Sequence, residues 1–345
     1  MVIVGYPGHL DMAAARRVAE GRPIVFNPLV SLEDTMVGDR QVVRPWSPTA
    51  VALRALDRYA LRRADLVVAD TAAHRDYFVE RFGVSAERIA VCYVGAEDDL
   101  FFPDERSRDP FSVLFVAKLI PLHGVDVIVE AARRCPEIPF TVVGSGQLDG
   151  LLAGHPPNLT WHRWIEYPEL PDLYRSAGCS LGVFGTTTKT TRVIPNKAFH
   201  ALATATPLIT ADTPAARELL EDGVNALLVH PGDPDALAAG LRRLASDPAL
   251  REELAGRGRR TYLEQASEPV LGARWRALLS ELVAPTRDRP SHGRRRPPVR
   301  TWVPPGAAVG RLESRTPSSE PQKTGVSRHT PHTSRSASHI SPSVT

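Results

Sequence analysis

Short apolar runs recur along the chain and alternate with stretches that have helical periodicity. Most runs are rich in β-branched residues and are bounded by Gly, Pro or Asp, as expected for strands covered on both faces. The predicted strands are Val2–Tyr6, Pro23–Leu29, Leu66–Asp70, Ile89–Gly95, Val113–Lys118, Phe140–Gly144, Leu159–Trp164, Cys179–Phe184, Pro207–Asp212 and Ala226–His230. The predicted helices between them include Pro48–Ala64, Ala72–Phe82, Val125–Arg134, Leu170–Ala177 and Pro234–Ser246. This alternation predicts an α/β fold of βαβ units with parallel sheets and right-handed crossovers.

A polar stretch that contains Pro103 and Pro110 interrupts the alternation, and such a stretch is typical of a linker. Four predicted strands precede it and six follow it. Because a doubly wound sheet usually has about five or six strands, we expect the first domain to be incomplete at its N-terminus. The expected organisation is a partial domain over 1–103, a linker over 104–112, a second domain over 113–268 and a returning helix over 269–285.

The composition divides the chain into a mildly acidic body and a basic tail. From Thr286 to Thr345 there are 11 Lys or Arg and 3 Asp or Glu, so this segment carries a formal charge of +8 and the rest carries −5. The tail is rich in Pro, Ser, Thr and Arg, which predicts disorder over 286–345. The overall charge of +3 therefore does not indicate a nucleic-acid partner, and none is expected.

The cysteines and the apolar runs exclude other classes of protein. Cys92, Cys135 and Cys179 are odd in number and far apart, which argues against a disulfide scaffold or zinc ribbon and suits the cytoplasm. No apolar run approaches the ~20 residues of a membrane-spanning helix.

Two loops at the carboxyl ends of predicted strands carry candidate binding residues, because ligands of doubly wound sheets bind there. Lys118 ends one strand and His123 lies just before the next helix, where both would reach a diphosphate. Gly144 and Gly146 follow the next strand, where glycines let backbone amides approach a ligand. Each of these features also fits a solvated lysine, a turn-capping histidine or a tight turn. The third glycine of a dinucleotide-binding fingerprint is absent, which argues against a dehydrogenase.

A third loop, from Phe184, is rich in threonine and enters a helix at Pro195, a residue favoured in the first helical turn. Lys189, Arg192 and Lys197 flank the predicted helix start. Cations beside free helix amides indicate an anion site, although the same pattern fits a flexible surface loop.

Taken together, these segments resemble the retaining glycosyltransferases of the GT-B fold, the large family-four group. In the second half the resemblance lies in VLFVAKLIPLHGVDVIVEAAR, NLTWHRWIEYPELPDLYRSAGCSLGVF and VIPNKAFHALATATPLITADTPAARELLEDGVNALLVHPGDPDAL. In the first half it lies in VFNPLVSLEDT, ADLVVADTAAHRDYF and RIAVCYVGAEDDLFFP. The resemblance covers roughly Val2 to Ala284.

The resemblance implies two Rossmann-like domains that face a cleft, and sugar transfer from a nucleotide-diphosphate sugar with retained configuration. It implies no cofactor and no essential metal, and an acceptor that is a sugar, a lipid-linked compound or a small molecule. Lys118 and His123 match the family's two basic catalytic positions. The expected donor-binding residues are Gly144, Gly146, Lys189, Arg192, Asn196, Lys197 and His200.

The chain also departs from the family's pattern. The two glutamates that the family usually has at the donor site fall on Arg192 and His200, and position 123 carries His where Lys is more usual. A histidine usual after the strand that matches Pro23–Val25 is absent, and the family's first strand, glycine loop and first helix have no counterpart. Two hypotheses therefore stay open, an active glycosyltransferase and a non-catalytic or truncated relic that binds nucleotide sugar.

The predicted helix Pro48–Ala64 carries a row of basic residues among Val, Leu and Ala. They are Arg54, Arg58, Arg62 and Arg63, with Arg44 just ahead of the helix. Such a helix fits peripheral contact with anionic lipid at the inner face of the cell membrane, and it equally fits an ordinary helix with a charged outer face.

Overall fold

Ten parallel strands in two sheets organise the described residues, which are 1–105 and 108–283 of the computed structural model. The first sheet has the order β1-β2-β3-β4, with β1 Val2–Val4, β2 Ile24–Phe26, β3 Leu66–Ala69 and β4 Ile89–Val91. The second sheet has the order β10-β9-β8-β5-β6-β7, with β5 Val113–Val116, β6 Phe140–Val143, β7 Leu159–His162, β8 Cys179–Leu181, β9 Leu208–Ala211 and β10 Leu227–Val229. All pairings between these strands are parallel. The predicted α/β fold is therefore confirmed.

Nine α-helices in the described residues connect and cover the strands. They are α1 Met12–Ala19, α2 Pro48–Arg63, α3 Ala72–Phe82, α4 Val125–Arg134, α5 Leu170–Ser176, α6 Asn196–Ala203, α7 Pro234–Ser246, α8 Pro248–Gln265 and α9 Glu268–Val283. The helix predicted over 269–285 corresponds to α9. We call the first sheet with α1–α3 the first lobe, and the second sheet with α4–α8 the second lobe.

Local sequence explains where these elements start and stop. The Thr71 hydroxyl accepts a hydrogen bond from the His74 amide and caps α3, and Gly83 ends that helix at a φ of +63°, as expected for these residue types. β3 is buried at all four positions, as a strand covered on both faces requires. The predicted strands are longer than the observed ones because their last residues leave the sheet and form the loops at its carboxyl edge.

The last helix ties the end of the described chain to the first sheet. Leu278 of α9 lies in one hydrophobic cluster with Val25 and Val68 of the first sheet, and Trp275 and Leu282 pack against that cluster. The helix follows the second lobe in the sequence but covers the first lobe. Apolar burial of this kind stabilises by ~25 cal/mol per Å².

Glycines let the loops at the carboxyl edge of the second sheet pack closely on one another. A Cβ atom at Gly144, whose φ is +132°, would lie 1.8 Å from the Ala117 carbonyl oxygen. A Cβ atom at Gly185 would lie 2.3 Å from the Pro121 carbonyl oxygen. The loops after β5, β6 and β8 therefore hold one another in place by backbone contact.

The described residues contain no membrane-spanning helix, and they leave peripheral membrane contact untested. None of their helices is both long enough and apolar enough to cross a bilayer. The three cysteines are buried free thiols. On α2, Arg54 pairs with Glu33 at 2.7 Å, whereas Arg58 and Arg62 are exposed, so lipid contact stays a prediction. The predicted disordered tail lies outside the described residues, as do residues 106 and 107 of the predicted linker.

We expect Gly144→Ala to lower the free energy of unfolding by more than ~1 kcal/mol, because Ala is strained at this positive φ and its Cβ would overlap Ala117. The matched control is Gly256→Ala in α8, where the added Cβ meets open space and the change should stabilise by roughly 0.5–1 kcal/mol. Urea unfolding followed by circular dichroism measures both. Equal stability of Gly144→Ala and wild type would contradict the account of loop packing.

Candidate functional site

A cleft of about 340 Å³ lies at the carboxyl edges of the two sheets, within the range of small-molecule sites. The first lobe supplies Leu29, Val30, Asp70 and Val94. The polar residues that the second lobe supplies are Lys118, His123, Lys189, Asn196, Lys197 and His200. Six of the nine candidate site residues therefore line one cleft, and most of its charge is positive.

A buried lysine–histidine pair forms the floor of the cleft. Lys197 and His123 are 5% and 9% exposed, and Lys197 Nζ lies 2.9 Å from His123 Nδ1. The ammonium group also lies 4.3 Å from the centroid of the Phe115 ring. Within the described parts of the chain, no carboxylate lies within ion-pair distance of Lys197. The cost of burying this cation is therefore not offset by a counter-charge.

Burial and two neighbouring lysines keep the His123 ring uncharged near pH 7. Burial, together with Lys197 and Lys189, holds the pKa of His123 well below its usual value, so the ring is neutral near pH 7. Burial also holds the pKa of Lys197 well below its usual value. We assign the ring proton to Nε2, because a protonated Lys197 Nζ has no lone pair and can only donate to Nδ1. The pair can thus offer a ligand an N–H donor from each side chain.

The start of α6 adds backbone donors beside this pair. Pro195 is the N-cap residue, and no side chain caps the helix. The amides of Asn196 and Lys197 in the first turn lack partners within the helix, and the helix dipole favours an anion there. Lys118 is exposed and lines the same cleft. Cations and backbone donors around a cavity of this size are suited to a diphosphate.

Two other predicted cations connect the lobes. Lys189 Nζ donates a hydrogen bond to Thr35 Oγ1 at 2.8 Å, and Lys189 lines the cleft. Arg192 is not among the cleft residues. Its guanidinium lies 3.4 Å from the Asp34 carboxylate and 4.0 Å from the centroid of the Tyr77 ring. The observed partners of Arg192, Asp34 and Tyr77, belong to the first lobe. Contact between Arg192 and the nucleotide sugar stays a prediction.

The glycine loop is also outside the cleft lining. The Gly144 amide donates to the His162 carbonyl at 2.8 Å, and the Gly146 amide donates to the Asp149 carboxylate at 2.6 Å. Both backbone N–H groups are therefore used within the protein. Nucleotide contact by Gly144 and Gly146 stays a prediction, and their observed role is to allow the loops to pack.

His200 lies in an aromatic corner of the cleft. Its ring stacks on Phe101 with a centroid distance of 3.9 Å and an interplanar angle of 5°. Burial lowers the pKa of His200 to about 4, so this position offers a neutral ring near pH 7. The fully buried Tyr174 also lines the cleft, and its hydroxyl has no hydrogen-bond partner among the described residues.

Sequence reasoning did not single out Asp70, Asp39 or Tyr174. Asp70 directly follows β3. Because ligands of such sheets bind beyond the carboxyl ends of strands, this position could have identified Asp70 as a candidate. The Asp39 carboxylate accepts a hydrogen bond from the Leu122 amide of the second lobe at 2.8 Å, and burial raises the pKa of Asp39. No local sequence pattern indicates that contact, because residues 39 and 122 are far apart in the chain.

Family models match both lobes. Residues 110–247 match the model described as glycosyl transferases group 1, and residues 1–95 match the glycosyl transferase 4-like domain. D-inositol 3-phosphate glycosyltransferase 1 of Catenulispora acidiphila is 28% identical over 262 residues, which are 68% of this chain and 60% of that protein. The GDP-mannose-dependent alpha-(1-6)-phosphatidylinositol monomannoside mannosyltransferase of Mycolicibacterium smegmatis is 27% identical over 265 residues, 68% of this chain and 67% of that protein. The chain spans only 60% and 53% of two of the D-inositol 3-phosphate glycosyltransferases that it matches.

Solved structures show the same fold. Sucrose-phosphate synthase from Thermosynechococcus elongatus has a TM-score of 0.67 and 19% identity, over 81% of this chain and 73% of that chain. Anabaena HepE in complex with UDP-glucose has a TM-score of 0.66 and 19% identity, over 81% and 78% of the two chains. The chain therefore has the GT-B fold, as the resemblance implied.

We expect the His200 imidazole to titrate near pH 4 because burial disfavours its charged form. Since this pKa lies below the usual histidine value of 6.5, stability linked to His200 is full above pH 6.5 and is lost as the pH falls towards 4. An NMR titration of the ring protons measures the pKa, and His200→Gln identifies the signal. A midpoint near 6.5 would contradict the buried, neutral state.

Proposed function

We propose that the chain is a group 1 glycosyltransferase, which the matches over residues 110–247 and 1–95 support, and that it transfers a sugar from a nucleoside-diphosphate sugar to an acceptor hydroxyl, with retention at the anomeric carbon. The observation that carries this proposal is the buried pair of Lys197 and His123 at the uncapped start of α6. The pair lacks a carboxylate partner among the described residues and lies in a cleft of suitable size. An incoming diphosphate would supply the missing counter-charge.

In this proposal the cleft acts mainly by electrostatic stabilisation. The bond between the anomeric carbon and the phosphate oxygen breaks, and its electron pair leaves with the diphosphate. Lys197 and Lys118 offset the added negative charge, and Nε2–H of His123 donates a hydrogen bond. Preorganised donors of this kind commonly contribute ~10²–10³-fold each to the rate. The acceptor oxygen bonds to the anomeric carbon and loses its proton.

The aromatic corner fits the uncharged part of the donor. His200 and Tyr174 line the cleft with a neutral ring and a buried side chain whose hydroxyl has no hydrogen-bond partner among the described residues, and we assign to them the ribose hydroxyls or the base. One structural neighbour is described with UDP-glucose and one relative as GDP-mannose-dependent. Both nucleotides are therefore the first to test. The acceptor in this proposal is a sugar, a lipid-linked compound or a small molecule.

A second candidate function is nucleotide-sugar binding without transfer. It is favoured because Arg192 and His200 stand where the family usually has its two donor-site glutamates. Arg192 pairs with Asp34, and the His200 ring is neutral near pH 7. Isothermal titration with UDP and GDP, followed by an assay for sugar release from UDP-glucose and GDP-mannose, separates the two functions. Binding without release would favour the relic.

We expect Lys197→Met to weaken binding of the preferred nucleotide about 10- to 100-fold, because it removes a charge-assisted contact to phosphate while it keeps an apolar side chain on Phe115. Lys118→Met should have a smaller effect, since Lys118 is exposed. The control is Arg133→Met, which removes an exposed cation outside the cleft. Isothermal titration calorimetry measures all three, and unchanged affinity in Lys197→Met would contradict the assignment.

We also expect nucleotide binding to take up protons. The pKa values of Lys197 and His123 are held low in the free protein, and a bound diphosphate raises them. Titrations in buffers with different ionisation enthalpies measure the number of protons. The uptake should fall in Lys197→Met, and the same heat in every buffer would contradict the low pKa values.

A further inference from the structure

Asp70 is the one charged residue among those that the first lobe contributes to the cleft lining. It directly follows β3 and precedes the cap residue of α3, and it is 8% exposed. The other first-lobe residues of the lining are the apolar Leu29, Val30 and Val94. A nearly buried carboxylate of the first lobe therefore lines the same cleft as the cations of the second lobe, and it interacts electrostatically with Lys189.

His74 holds this carboxylate in one orientation. His74 Nδ1 lies 2.6 Å from Asp70 Oδ1, and both side chains are buried. The imidazole packs on the Phe78 ring at a centroid distance of 4.3 Å, which limits its rotation. Among the contacts of the described residues, the second oxygen of Asp70 has no hydrogen-bond donor, so it is available to a ligand.

Contacts between the lobes fix the position of Asp70 relative to the donor side of the cleft. The amides of Ala72 and Ala73 donate to the Glu218 carboxylate of the second lobe at 2.7 and 2.8 Å. The Thr71 hydroxyl donates to the Arg192 carbonyl oxygen. The residues that follow Asp70 are thus anchored to the second lobe, and these bonds fix the backbone next to Asp70.

We propose that Asp70, positioned by His74, receives the attacking hydroxyl of the acceptor. The inference rests on the proposed sugar transfer and adds the acceptor side of the site. The carboxylate favours a neutral, hydroxyl-bearing part of the acceptor, because it repels a phosphate or carboxylate at the same place. The acceptor is therefore a polyol or sugar whose reacting hydroxyl is remote from its anionic groups.

The hydroxyl oxygen forms a bond to the anomeric carbon on the face that the diphosphate leaves, so the configuration is retained, and the bond from that carbon to the phosphate oxygen breaks. The electron pair of the broken bond leaves with the nucleoside diphosphate. The hydroxyl proton passes to Asp70 and then to solvent. Asp70 is a catalytic residue in this scheme, whereas His74 is a positioning residue.

Water is the probe nucleophile for the test, because it can occupy the place of the acceptor hydroxyl. Release of free sugar from UDP-glucose and GDP-mannose is measured without another acceptor, and UDP and GDP affinities are measured by calorimetry. Asp70→Asn should slow the release about 100-fold or more and leave nucleotide affinity within about 2-fold, since the variant keeps the side-chain shape. The matched control is Asp76→Asn, which removes an exposed carboxylate of α3 outside the cleft and should leave both values unchanged.

His74→Gln provides a second, independent variant. It should slow release about 10-fold with nucleotide affinity unchanged, and it should add little to the loss in Asp70→Asn, because residues that act through one another are not additive. Release at the wild-type rate in Asp70→Asn would overturn the inference while the proposed transfer stands. A wild type that binds nucleotide but releases no sugar would favour the second candidate function and overturn the inference with it. If Asp70→Asn binds no nucleotide, wild-type release in His74→Gln would overturn it. A wild type that binds neither UDP nor GDP would instead refute the proposed function, and the inference with it.

Discussion

The arrangement of the cleft depends on the buried amino group of Lys197, whose pKa burial holds well below its usual value. Desolvation of a cation is costly, and the start of a helix, which carries a partial positive charge, adds to that cost. The protein offsets it only in part, through the Nδ1 lone pair of His123 and the face of Phe115. A bound anion would satisfy Lys197, the His123 Nε2–H and the first amides of α6 together. The free protein therefore keeps a set of donors in place at the cost of its own stability.

Backbone packing keeps these donors in place. The loops after β5, β6 and β8 approach so closely that a Cβ atom at Gly144 or Gly185 would overlap a neighbouring carbonyl. His123 and Lys197 belong to different βα units, and their side chains meet only because these loops are interlocked. The first lobe completes the arrangement, with Asp34 and Thr35 bound to the loop that carries Lys189 and Arg192. Binding geometry and lobe packing are thus parts of one network.

The sequence predicts the strands, the parallel sheets and much of the cleft, because these depend on local periodicity and on the position of residues after strand ends. Lys118, His123 and Lys197 could be grouped in this way, since parallel strands bring their carboxyl ends to one edge of the sheet. The pairing of Arg192 with Asp34 could not be predicted, because it joins residues of different lobes. The hydrogen bond from the Gly146 amide to the Asp149 carboxylate is local, but the glycine pattern predicts contact of that amide with the nucleotide instead. Glycines in such a loop suggest contact with a ligand, yet here they meet the protein itself.

The most direct measurement is a crystal structure of the protein with UDP or GDP. The account predicts a diphosphate against the start of α6, with phosphate oxygens within hydrogen-bonding distance of Lys197 Nζ and His123 Nε2. A nucleotide bound elsewhere, or a diphosphate in the cleft that Lys197 and His123 do not touch, would contradict it.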